Sequence, residues 1–123
     1  MVQQEARTVS QNIMPYISIK GLKLKSLLHW PQFMWLAIRA MNQAKRAEGN
    51  ISAEARSING FQQTLSVWRS EAEMRNYLKV GPHLQAMKNF RHIASGSTYG
   101  YEAANLPSWA EALQLWRKHG NPV

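Results

Sequence analysis

The chain of 123 residues contains no cysteine. That absence excludes a disulfide framework, a cysteine nucleophile and thiolate-held zinc or iron–sulfur centres, and it is compatible with a reducing compartment, so a cytoplasmic protein is expected. Long apolar runs are missing too. Nowhere do about 18 uncharged apolar residues follow one another, so no transmembrane segment is expected and the protein reads as soluble. The opening MVQQEARTVSQNIMP lacks the basic start and apolar stretch of a secretory signal. Residues 1–13, polar and without apolar period, read as a flexible arm ahead of a single domain over 14–123. Acidic side chains are scarce, seven against fifteen Lys and Arg, which leaves a net charge of +8. Such a charge attracts anionic partners without choosing among them. Its carriers, among them Lys20, Lys23, Lys25, Arg39, Arg75 and Arg117, are scattered with no block of five or six, as on a solvated basic surface. No HExxH, GxSxG, Walker loop or dinucleotide fingerprint occurs, and His29, His92 and His119 are not placed with His83 at metal-binding spacing. A protein-bound metal is therefore not expected.

What is present alternates between the two periods of regular structure. From Tyr16 to Lys25 apolar residues alternate, with Ile17 and Ile19 in phase and Leu22 and Leu24 out of it, so a strand with a bulge at Gly21 is expected. Pro31 suits a helix first turn, and Phe33, Met34, Ala37, Ile38, Met41 and Ala44 recur at helical spacing up to Gly49. Two alternating runs, Ile51 to Ile58 and Phe61 to Trp68, flank Asn59-Gly60, a strong hairpin signal. Ser70 with Glu73 reads as a capping box at a helix that Gly81-Pro82 interrupts before His83, Leu84, Met87 and Phe90 resume its spacing. After a Gly-Ser segment, Thr98 to Ala103 reads as a last strand. Ser108 with Glu111 caps a final helix striped by Trp109, Ala112, Leu113 and Trp116 and stopped at Gly120. This order, βαββαβ with an extra C-terminal helix, specifies an α+β ferredoxin-like domain: a four-stranded antiparallel sheet with helices on one face. An uncovered second face and free edges point to a homodimer.

Leu65-Ser66-Val67-Trp68, Ser70-Glu71-Ala72-Glu73-Met74, Gly81-Pro82-His83-Leu84-Gln85-Ala86-Met87 and Trp30-Pro31-Gln32-Phe33-Met34-Trp35 together resemble the dimeric α+β barrel superfamily. The similarity is to its antibiotic-biosynthesis-monooxygenase-like and spheroidene-monooxygenase-like branch, over residues 16 to 102. The resemblance implies a dimeric barrel and oxygen insertion into an aromatic or polyene substrate, either without a cofactor or with haem. In the haem degraders of this superfamily the axial histidine lies near the end of the second helix, a place taken here by Met87, with His83 one turn earlier.

His83 and Met87, four apart, share a helical face that Phe90 extends, so they border one expected pocket between helix and sheet. His83 is the candidate catalytic residue, a proton relay near neutral pH, with a structural histidine holding the helix break as the alternative. Trp68, Met87, Phe90, Trp35 and Tyr99 are the candidate ligand-binding residues for a small apolar or aromatic molecule, and each could instead be ordinary core. A non-catalytic small-molecule or protein-binding module competes with the enzyme reading. Nucleic acid is not expected as a partner, because Gly60-Phe61-Gln62-Gln63-Thr64 lacks the basic and aromatic stacking pattern of RNA-binding sheets.

Overall fold

A computed structural model of the chain describes residues 14–79 and 81–123, without the side chains of Pro82, His83, Gln85 and Ala86. The proposed arm over 1–13 lies outside the described residues. Strand β1 (Tyr16–Leu24) leads through a 3-10 turn (Leu27–His29) into helix α1 (Trp30–Arg46). Strands β2 (Asn50–Ile58) and β3 (Phe61–Trp68), helices α2 (Glu71–Leu78) and α3 (Gly81–Ile93), strand β4 (Ala94–Glu102), helix α4 (Trp109–His119) and a two-residue strand β5 (Asn121–Pro122) follow. The sheet is antiparallel in the order β2-β3-β1-β4-β5. Its first four strands and the helices between them make the expected ferredoxin-like arrangement.

Local chemistry accounts for most boundaries. Asn59 and Gly60 take φ of 52° and 82°, the left-handed pair that matches the twist of a two-residue hairpin, and Ile58 faces Phe61 across it. Ser70 accepts the Glu73 amide at 3.2 Å, and the Glu73 carboxylate receives the Ser70 hydroxyl and the Arg69 guanidinium. At α4 the reciprocal box is complete: Ser108 Oγ accepts the Glu111 amide and Glu111 accepts the Ser108 amide at 2.9 Å. The expected interruption is present, with α2 ending at Leu78 and α3 opening on Gly81-Pro82.

Three expectations are corrected. Gly21 is not a bulge, since the pairing of β1 with β3 and β4 runs through it without a slip. The apolar phase changes because both faces of β1 are covered: Ile17 and Ile19 pack under α4, whereas Leu22 packs against Phe33, Phe90 and Ile93 on the other side. A Cβ at Gly21 would enter the Trp116 indole, so the glycine lets α4 sit close to the sheet. The last strand begins four residues before Thr98, because β4 starts at Ala94 and pairs Ser95 with Lys23 and Gly96 with Leu22. Finally, the buried stripe of α1 is Phe33, Leu36, Ala40 and Ala44, and Ile38 points outward with 54% exposure.

The sheet is thus covered on both faces. Beneath α1, α2 and α3 lie two apolar groups, one around Leu22, Phe33 and Phe90, the other around Tyr16, Trp68 and Met74. On the reverse face Ala112 and Trp116 of α4 cover Ile17, Ile19, Leu65 and Val67, and Trp116 Nε1 donates to the Ser97 carbonyl at 2.8 Å. The chain then turns at Gly120 and adds β5 along the outer edge of β4, opposite Ser97 and Thr98. The second face therefore does not need a partner in order to be covered. A Cβ at Gly96 would collide with the Gly21 carbonyl across the ladder. Gly96→Ala is expected to lower stability by about 1–3 kcal/mol through this overpacking, read as a lower urea midpoint at unchanged slope.

Candidate functional site

On the helix-covered face of β1 the residues after Tyr16 are Ser18 and Lys20, before the apolar surface resumes at Leu22. Their neighbours across the ladder are Ser66 and Thr64 on β3, and Gly100 and Thr98 on β4. All six are half-buried although helices cross above them. A short polar strip therefore crosses the middle of the sheet between the two apolar groups. Two of its hydroxyls have fixed orientations: Ser66 Oγ accepts from Trp68 Nε1 at 3.0 Å, and Thr98 Oγ1 donates to the Ile19 carbonyl at 3.2 Å.

Lys20 is the group of chemical interest. Its Nζ lies 3.3 Å from Met87 Sδ on α3. Burial lowers its pKa from the ordinary 10.5 to about 8, because water that would solvate the ammonium is displaced by protein. An ammonium in a poorly hydrated place attracts an anion far more strongly than one on the surface. At the end of the strip, the hydroxyl of Tyr16 is raised above the usual phenol value, first by burial and then by the Glu71 carboxylate.

The structure brings Met87 and Phe90 to this face. Met87 meets Lys20, and Phe90, 7% exposed, packs on the Phe33 ring at 5.2 Å in the core. His83 precedes Met87 by one turn of α3, and its side chain lies outside the described residues. Trp68 is wholly buried and stacks on Tyr77 at 5.1 Å, a structural position. Two candidates are displaced from the expected pocket. Trp35 is 58% exposed, since α1 buries Phe33 and Leu36 and residue 35 falls on the opposite side, where the Arg39 guanidinium lies 4.6 Å above the ring. Tyr99 pairs with Ile19 and so shares its face, under α4, stacked between Tyr101 and His119. Among the described residues no three His, Asp or Glu side chains converge to hold a metal, and no helix is long and apolar enough to cross a membrane.

Two cavities lie away from the strip. One of about 630 Å³ opens between the end of α1 and α2, lined by Arg39, Arg46, Glu48, Glu73 and Tyr77. The other, about 350 Å³, is on the α4 face beside Phe61, Gln63 and Trp116, and there Gln63 Oε1 is a buried acceptor without a partner.

Lys20 is a candidate that composition conceals, because counting cations treats every lysine as surface. Its signal is the alternation of β1: with Ile17 and Ile19 on one face, Ser18 and Lys20 must occupy the other, under two amphipathic helices.

No protein-family model and no curated protein matches the sequence. Solved structures do match. SnoaB, a cofactor-independent oxygenase from Streptomyces nogalater, superposes with a TM-score of 0.63 at 14% identity, over 77% of this chain and 99% of its own. A Deinococcus radiodurans protein provisionally described as an antibiotic biosynthesis monooxygenase gives 0.66 at 17%, over 76% and 96%. A conserved Methanosarcina mazei protein gives 0.66 at 11%, over 74% and 94%. The chain has the ferredoxin-like α+β fold of these structures, and α4 and β5 lie beyond that core.

Proposed function

We propose that the protein is a small oxygenase that binds an electron-rich aromatic or polyene molecule between α3 and the sheet. The observation that carries this reading is the Lys20 ammonium, half-buried at the centre of the polar strip and in contact with Met87. A phenol or enol entering there as its anion would be neutralised by Lys20 and would lie against the Met87 thioether. Removing the acidic proton makes the substrate carbon electron-rich enough to react with dioxygen. For an activated methylene the balance is complete without added reductant: the CH₂ becomes C=O, both hydrogens leave with one oxygen atom as water, and the substrate supplies all the electrons. Similarity in fold to a cofactor-independent oxygenase supports this route. His83, four positions before Met87, is assigned the proton transfer because it shares that helical register.

A haem fits the described residues poorly. Met87, which stands where the resemblance would put an axial ligand, turns its sulfur to the Lys20 ammonium, and a cation is an unfavourable neighbour for a ligated iron. No step is derived through it.

We also propose a homodimer. Phe61, Tyr99, Tyr101 and Trp109 remain only partly buried around α4, a rim of aromatic surface suited to a second copy. Light scattering checks it, and a monomer at all concentrations would remove it.

Oxygen uptake measured with a panel of polycyclic phenols, enols and polyenes tests the reaction. His83→Ala is expected to lower kcat by about 10²–10⁴ with substrate binding kept. Tight binding without oxygen consumption by the unaltered protein would replace the enzyme with a small-molecule binding module.

A further inference from the structure

We propose that the 3-10 turn and the outer side of α1 form a surface that docks on anionic lipid membranes. Leu27 and Leu28 are 85% and 89% exposed at the tip of a tight turn, where no folding requirement places two leucines. The turn runs without interruption into α1, and in helical phase Leu28 is followed on the outer side by Pro31, Trp35 and Ile38. Trp35 and Ile38 are 58% and 54% exposed. The helix is thus apolar on two sides: Phe33, Leu36, Ala40 and Ala44 serve the core, and this second stripe faces outward. Isolated exposed apolar residues are ordinary, but a contiguous stripe marks an interaction surface.

Charge selects the occupant. No Asp or Glu occurs between Glu5 and Glu48, nor between Glu73 and Glu102, so the turn, α1 and α3 carry no carboxylate. The exposed cations there are Lys25, Arg39, Lys45, Arg46, Lys88 and Arg91, and α3 is tied to the turn by Lys25 Nζ donating to the Arg91 carbonyl at 2.9 Å. Arg39 lies over the Trp35 ring, so the indole has apolar side chains on one side and a cation on its face. Leucines at the tip, a tryptophan behind them and cations around both reproduce the order of a bilayer surface: acyl chains, interface, anionic headgroups. Nucleic acid would use the cations and leave the leucines in water, so lipid accounts for more of the surface.

Flotation of the full-length protein with vesicles tests the proposal. Binding to phosphatidylcholine mixed with phosphatidylglycerol is expected, with little to phosphatidylcholine alone, and added salt should weaken it. Replacing the leucines together, Leu27→Asp with Leu28→Asp, is expected to lower the partition coefficient at least about tenfold. Both side chains are exposed, and an unchanged circular dichroism spectrum confirms the fold. Equal flotation of the variant would overturn the proposal. So would single-stranded RNA binding that the variant retains in the absence of vesicle binding, or a loss of oligomer mass in the variant, which would make the stripe a contact between copies.

Discussion

Lys20→Met is expected to make the protein more stable near neutral pH while sharply lowering the proposed oxygenase turnover. The folded pKa of about 8 lies below the unfolded value of 10.5, so between those values the unfolded chain binds more protons than the folded one. Stability therefore rises with pH across that window, and as pH falls through about 8 the gain is lost. The whole span amounts to on the order of 3 kcal/mol. Methionine occupies a similar volume without a charge to desolvate, so the variant should lack this slope and should unfold at higher urea at pH 7. Tyrosine ionisation above pH 10 affects both proteins, and their difference isolates Lys20. Turnover should move in the opposite direction: without the ammonium, kcat/KM is expected to fall about 10²–10³-fold, as when one donor to a developing anion is removed. In the unaltered protein, activity that needs the ammonium should decline as pH rises through about 8. A variant that is no more stable and equally active would remove Lys20 from the site.

Trp116→Ala is the second large expectation. The indole is 6% exposed, packs edge-on against Phe61 at 5.3 Å, lies over Gly21 and donates to the Ser97 carbonyl. Its removal should cost about 3–5 kcal/mol, combining lost burial with a cavity and an unpaired carbonyl. Because Ile17, Ile19, Leu65 and Val67 would be uncovered with it, the variant should bind a hydrophobic dye and self-associate, which fluorescence and light scattering would show. A loss below about 1 kcal/mol would mean that α4 does not hold this face in solution.

Elements whose signals are local were legible in the sequence. Asn59-Gly60, Ser108 with Glu111 and the Gly81-Pro82 break each act through their own backbone, and each produced the expected turn, cap or interruption. Readings failed where a residue serves something distant. Gly21 reads as a register slip because only the close approach of Trp116 explains it, and Gly96 falls outside the expected strand because its reason lies across the ladder at Gly21. The same holds for the site. Helical spacing points to His83, Met87 and Phe90, and α3 does run over the sheet. Trp35 and Tyr99 stand out only as aromatics, and composition carries no information about which side of an element a ring occupies. Lys20 went unremarked because its role depends on which face the helices cover.

The outer edge of β4 carries β5 at Ser97 and Thr98, with the Val123 amide donating to the Gly96 carbonyl. Among the described residues no strand pairs on the outer side of β2, Asn50–Ile58, whereas β5 occupies the stretch of β4 at Ser97 and Thr98. The last residues thus shield this part of the sheet from pairing with another chain, and a strand arriving from outside would find its backbone partners on β2 instead.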